Sequence, residues 1–194
     1  NAYLLLGRGN PWPLYMDVED DAAAVFSGVL SITGLGDIDG DLIGDLAAAR
    51  ANAVDLYLGS ATLAREAGQT LSAAHTFDTA DAAPSLAPLG DTNGDTPTPL
   101  ADFAYSDGST PHVVLGRASG SWAVSQSLSG LAGYLVGVGD VNADGYGDLL
   151  ARVSGSDDAS LRYGGSLGVN RAAFNDVKTA AGAPYSAAAD INAD

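Results

Sequence analysis

The 194-residue chain has no cysteine, which excludes disulfides without fixing a compartment. No apolar run approaches the roughly 20 residues of a membrane span. With 46% apolar residues the chain is long enough to bury a substantial core, so a soluble globular protein is expected. There is no H-E-x-x-H, no G-x-S-x-G and no Walker loop, and nothing positive points to an enzyme. Histidine is confined to His75 and His112, both beside or within apolar strand-like segments where a structural role is expected. Aromatics make up only 7%, which does not decide for or against a glycan-stacking surface. The chain starts at Asn1 with neither an initiator Met nor a signal-peptide pattern, so it is expected to be a processed product, an excised piece or a fragment. Basic residues are scarce, 8 Lys+Arg against 24 acids, for a net charge of −16. Such a surface repels nucleic acid and anionic membranes.

Glutamate is almost missing as well, limited to Glu19 and Glu66, while 22 of the 24 acids are Asp. Helix surfaces recruit Glu, whereas Asp favours turns and loops. Half of these acids fall in one recurring pattern. It reads Asp37-Ile-Asp39-Gly-Asp41-Leu-Ile43-Gly-Asp45, then Asp91-Thr-Asn93-Gly-Asp95, then Asp140-Val-Asn142-Ala-Asp144-Gly-Tyr146-Gly-Asp148, and last Asp190-Ile-Asn192-Ala-Asp194. The first aspartates of successive copies lie 54, 49 and 50 residues apart, a period that marks a solenoid, propeller or array.

Oxygen ligands at positions 1, 3 and 5, a backbone carbonyl at 7 and a carboxylate at 9 converge on one hard cation taking about 6–8 oxygens. Calcium suits this set better than magnesium, which demands near-octahedral geometry and keeps its waters. Softer ions prefer imidazole or thiolate. Merely solvated acidic turns would explain one copy but not three. About three calcium sites are therefore expected, with a fourth, partial one at Asp190, Asn192 and Asp194. Weak sites of this kind fill where calcium is plentiful, which points to an extracellular or cell-surface location.

Between the loops the pattern is β. Apolar stretches follow each complete loop (Leu46 to Ala49, Phe103 to Tyr105, Leu149 to Val153). Strands ending in glycine come next: Tyr3 to Gly7, Asp55 to Gly59, His112 to Gly116 and Ser160 to Gly164. A fourth segment carries an aromatic or two (Trp12 and Tyr15, Phe77, Trp122, Phe174). Segments such as Val29 to Gly36 and Leu131 to Gly139 lead into the next loop. Four short strands per unit of about 50 residues predict an all-β chain with little helix, built as a β-propeller of four-stranded blades. The strand glycine also places Asp102: Asp45 precedes Gly59 by 14 residues and Asp102 precedes Gly116 by 14. A three-residue insertion within Thr96 to Leu100 makes Asp102 the ninth-position ligand of the second loop.

These residues resemble the FG-GAP or integrin-α type of β-propeller repeat over essentially the whole chain. The resemblance carries calcium-ligand roles onto Asp37, Asp39, Asp41 and Asp45, onto Asp91, Asn93 and Asp95, and onto Asp140, Asn142, Asp144 and Asp148, with Ile43 and Tyr146 as carbonyl donors. The Phe-Gly and Gly-Ala-Pro signatures are absent where the family has them: Ala47-Ala48-Ala49 follows the first loop and Gly182-Ala183-Pro184 precedes the fourth. That marks a divergent, bacterial-style member. An EF-hand is excluded, because position 12 is Ala48 or Ala151 instead of Glu. Dockerin and thrombospondin-like repeats share the loop but have shorter periods.

The expected units are a partial blade at 1–28 holding strands three and four, blades at 29–80, 81–130 and 131–180, and the start of another at 181–194. Open blade edges at both ends predict a segment of a larger propeller, or completion by self-association or by another segment. The function expected is non-catalytic: extracellular adhesion, ligand binding or surface scaffolding, with a protein or glycan partner and mainly structural calcium. A carbohydrate-binding or accessory propeller of a secreted hydrolase and a self-assembling surface structure are the alternatives.

Overall fold

The computed structural model describes residues 1–7, 11, 14–63, 69–169 and 175–177. Short apolar runs cut by Gly, Pro and Asp form antiparallel strands, and among the described residues helix is limited to one turn, α1 (Val18–Asp21), capped by the Asp17 side chain on the Glu19 amide. β1 (Ala2–Leu4) and β2 (Ala24–Phe26) make a two-stranded sheet. The first four-stranded sheet is β3 (Val29–Gly36), β4 (Asp45–Arg50), β5 (Ala53–Tyr57) and β6 (His75–Asp78). The second is β7 (Leu86–Gly90), β8 (Asp102–Ser106), β9 (Pro111–Val114) and β10 (Gln126–Ser127). The third is β11 (Leu131–Gly139), β12 (Asp148–Val153), β13 (Ala159–Arg162) and β14 (Asn175–Val177). Strand order within each sheet follows chain order, an up-and-down meander.

Alanine is a poor strand former, yet Ala47, Ala48 and Ala49 fill the middle of β4, all 0% exposed. Small side chains suit a strand covered on both faces. The second sheet lies between the other two, with β7 against both β3 and β11. One core joins Leu35, Val54, Leu56 and Phe77 of the first sheet to Phe103, Tyr105 and Val114 of the second. The other joins Leu89, Ala104 and Val113 of the second to Leu131, Leu135 and Leu149 of the third. Phe77 stacks edge-on against Phe103, with ring centres 5.9 Å apart.

Two expectations about the fourth segment shift. Trp122 lies in a connection ahead of β10, packed against the first core, and Tyr15 sits exposed ahead of α1. The fourth strands form instead where alternating residues meet the third strand, as Phe26 and Phe77 do. Trp12 and Phe174 lie outside the described residues.

A buried polar tie crosses the first sheet. Asp55 on β5, 6% exposed, accepts from Arg50 Nε at 2.6 Å, Arg50 Nη2 at 3.2 Å and Thr76 Oγ1 at 2.6 Å. Burial pushes its carboxyl up, but the Arg50 guanidinium and the Thr76 hydroxyl outweigh that and hold it below the usual carboxylate range. A depressed folded value contributes stability above the unfolded pKa, lost as pH falls through the folded one. Asp55→Asn should therefore cost about 1–3 kcal/mol at pH 7. In urea titrations the gap from the parent protein should shrink below pH 3.8, the ordinary value for this group.

Candidate functional site

Each of the three described aspartate loops leaves its strand through a glycine in the left-handed region: Gly36, Gly90 and Gly139, with φ of 90°, 70° and 71°. All three sit at a register shift against the second strand. A side chain there would be strained, and the kink turns the chain from the ladder into the loop.

The first loop then winds on its own carboxylates. Asp37 accepts from Gly40 N at 2.6 Å and Leu42 N at 2.8 Å, Asp39 from Asp41 N at 3.1 Å, and Asp41 from Ile43 N at 2.8 Å. Asp37, Asp39 and Asp45 each bring one carboxylate oxygen within 4.8 Å of the others. Asp41 is not in that trio, its carboxylate being turned to the Ile43 amide. Burial, together with the Asp41 and Asp37 charges, raises the Asp39 carboxyl.

The third loop winds alike: Asp140 accepts from Asp144 N at 3.1 Å and Gly145 N at 2.7 Å, and Asp144 from Tyr146 N at 3.0 Å. Asn142 holds Asp144 through its amide nitrogen at 2.9 Å. In the second loop Asp91 accepts from Asn93 N at 3.1 Å and Gly94 N at 2.6 Å, and Asn93 Nδ2 donates to Asp95 Oδ1 at 3.1 Å. Two acceptors are left over: Asn93 Oδ1 and Asp95 Oδ2 are buried and receive no hydrogen bond. Burial and the Asp91 charge raise the Asp95 carboxyl. Two oxygen lone-pair sets buried without donors are costly unless a cation or water meets them.

The ninth-position aspartates have a second task. Asp45 accepts from Ile38 N at 2.8 Å and from Gly59 N at 2.6 Å. Asp148 accepts from Val141 N and Gly164 N, both at 2.8 Å. Asp102 accepts from Thr92 N at 2.8 Å, Gly116 N at 2.7 Å and Thr92 Oγ1 at 2.5 Å, so despite the insertion it occupies the same place. Each carboxylate thus straps the loop start to the end of the third strand. Burial pushes Asp102, 0% exposed, up to about 6, against the pull of the Thr92 and Gly116 donors. Burial likewise raises Asp45 and Asp148.

The loops also join neighbouring sheets. Asp37 O and Ile38 O accept from Ala101 N and Arg117 N of the second sheet's unit, both at 2.8 Å. Asp91 O and Thr92 O accept from Gly147 N at 2.7 Å and Gly165 N at 2.9 Å in the next unit. By this pattern Leu100, two residues before Asp102, is the counterpart of Ile43 and Tyr146. Sequence reading missed it, because the insertion moves it out of the seventh place; counting back two from the ninth-position aspartate finds it.

The fourth copy, Asp190, Asn192 and Asp194, lies outside the described residues. Of the remaining polar groups, His112 Nε2 meets Asp107 Oδ2 at 2.9 Å and its Nδ1 meets Ser127 Oγ at 3.0 Å. Asp107 also takes Thr110 N at 3.0 Å, so the three side chains tie β9 and β10 to a turn. His75 stacks on Phe77, ring centres 4.4 Å apart. Asp20 and Asp21 lie in α1, and Asp157 pairs with Arg152 at 2.6 Å.

Among the described residues, then, fold and loops define an all-β protein of repeated four-stranded sheets joined through acidic loops. Comparison with protein-family models and with curated proteins finds no match.

Proposed function

We propose that this chain is a calcium-binding β-propeller segment of the FG-GAP type, non-catalytic, that works outside the cell in adhesion, ligand binding or surface scaffolding. The observation that carries the calcium reading is the pair of orphaned oxygens in the second loop, Asn93 Oδ1 and Asp95 Oδ2. They stand at positions 3 and 5, where the repeat puts two of its cation ligands. The close carboxylates of Asp37, Asp39 and Asp45 support the same reading in the first loop. Both sets are hard oxygen donors, the chemistry calcium takes. Asp91, Leu100 and Asp102 would complete the second set, and Asp140, Asn142, Asp144, Tyr146 and Asp148 the third.

The propeller reading draws on three meanders stacked face to face, with first strand against first strand, as inner strands around a shared axis must be. In this reading calcium is structural: it neutralises carboxylates that the strand turn has drawn together.

A ligand that binds only the folded state at 100 times its Kd adds about 2.7 kcal/mol per site. For a chain of this size that raises the melting temperature by on the order of 5 °C per site. Calcium should give such a rise over chelator, and magnesium should give little of it. Asn93→Ala should remove one site from the calorimetric stoichiometry. A melting curve that chelator leaves unmoved would overturn the proposal.

A further inference from the structure

Three polar side chains outside the aspartate loops line up at the edge of the second sheet. His112 on β9 stands directly across from Ser127 on β10, and its Nδ1 meets Ser127 Oγ at 3.0 Å. Its Nε2 meets Asp107 Oδ2 at 2.9 Å. The other carboxylate oxygen, Oδ1, accepts from Thr110 N at 3.0 Å and from Ser109 N at 3.4 Å, so the turn before β9 fixes the carboxylate. Burial pushes the Asp107 carboxyl up, but the His112 ring and the two turn amides outweigh it and hold it below the usual carboxylate range. Tyr105 lies against the imidazole, ring centres 5.3 Å apart, and helps to hold its plane.

An ionised carboxylate only accepts, so Nε2 carries the imidazole proton and Nδ1 presents its lone pair. That lone pair receives the Ser127 hydroxyl proton. A hydroxyl, a base within hydrogen-bond reach and a third group that orients the base make up the arrangement that turns serine into a nucleophile. Ser127 is exposed, so a reagent can reach it, and it lines a cavity of about 70 Å³ with Leu128, Ser129 and Arg162. At about 30 Å³ for a water-sized group, that is room for an acetyl group. Among the described lining residues Arg162 carries the only charge, and a guanidinium there favours an oxyanion.

We propose that Ser127 is a covalent acceptor of short acyl groups: its Oγ, activated by His112 and Asp107, takes the acyl group of an activated carboxylic ester. Oγ bonds to the ester carbonyl carbon as its proton passes to His112 Nδ1. The bond from that carbon to the leaving oxygen then breaks, and His112 returns the proton to that oxygen. An ester and a hydroxyl become a seryl ester and an alcohol, with no change of oxidation state and no further reactant. An acetyl group fills the cavity and leaves no room in it for the water that would release it, so the mark forms once per chain. None of these residues belongs to an aspartate loop, so the mark is independent of calcium, and a single event per chain is not turnover.

Incubation of the full 194-residue chain with p-nitrophenyl acetate, followed by p-nitrophenolate release and by peptide mapping, tests it. Release should stop at one equivalent per chain. Ser127 should take the acetyl group on the order of 100-fold faster than Ser125 or Ser129 on either side of it. Asp107→Asn and His112→Gln should each slow labelling of Ser127 by on the order of 100-fold, with circular dichroism to show that the variants are folded. If neither folds, p-nitrophenyl octanoate on the parent chain serves instead: its acyl chain overfills the cavity and should label Ser127 about tenfold more slowly than the acetate. Acetyl groups spread evenly over the serines would overturn the proposal. So would labelling of Ser127 that both variants leave unchanged, release that continues past one equivalent, or octanoate that reacts as fast as acetate.

Discussion

Gly147→Ala is expected to cost the protein more than 3 kcal/mol, about the upper end of what overpacking does, or to leave it insoluble. The Cβ would overlap Leu89 O and lie 3.1 Å from Leu89 C and 3.5 Å from Asp91 O. Every one of these is a backbone atom, so no side chain can rotate aside. The same glycine donates its N–H to Asp91 O at 2.7 Å, so retreat from the clash breaks an inter-sheet bond. Gly137→Ala meets Pro88 O in the same way, with Pro88 C at 2.9 Å. Gly165→Ala is the internal control: it has open space around its Cα and an ordinary φ, and should stay within about 0.5 kcal/mol. Guanidinium unfolding of the three variants measures this. A Gly147→Ala protein as stable as the control would mean that the second and third sheets do not approach as closely as described.

Asp148→Ala should be nearly as damaging, and for the opposite reason, a loss of contacts. Its removal orphans Val141 N and Gly164 N, the first at the loop start and the second buried at the strand end. An unsatisfied buried donor costs about 1–3 kcal/mol, and the part-buried Val141 N, which water can reach, adds less, so the loss is about 1–4 kcal/mol even without metal. Measuring the loss in chelator separates the strap from any ligand role; an unchanged metal-free midpoint would refute the strap. Asp102, fully buried, adds a pH signature. Its folded value is raised to about 6 from 3.8, so the native state binds the proton more tightly than the unfolded one. That contribution to stability is full below pH 3.8 and is lost as pH rises through about 6. Metal-free protein should thus gain stability from pH 7 to pH 5, and Asp102→Asn should abolish the gain. Asp55 runs the other way, and loses its contribution only in stronger acid.

The loops were legible because carboxylates at odd positions have few other reasons to recur every 50 or so residues. Asp102 was legible too, through an interval of 14 residues to a glycine that turned out to be its hydrogen-bond donor. Aromatics misled the reading of the fourth strand: Trp122 covers a core edge from a connection, and β10 is only two residues of polar sequence, Gln126–Ser127. α1 escaped notice because a single capped turn has no periodicity to find. The links between sheets could not have been read at all, since their donors and acceptors are main-chain atoms of Ala, Arg, Gly, Asp, Ile and Thr. Only the small residues at Ala101 and Gly147 hinted that backbones come close there.

Those links have a direction. The first and second loops lend their carbonyls to the unit that follows, and among the described residues no loop lends one to the unit before. In a linear array with nearest-neighbour coupling, that makes disturbance polar: loosening the first loop should soften the second sheet at Ala101 and Arg117, while loosening the third loop leaves the second sheet's donors as they were. Information about the state of a loop would travel along the chain from amino to carboxyl side.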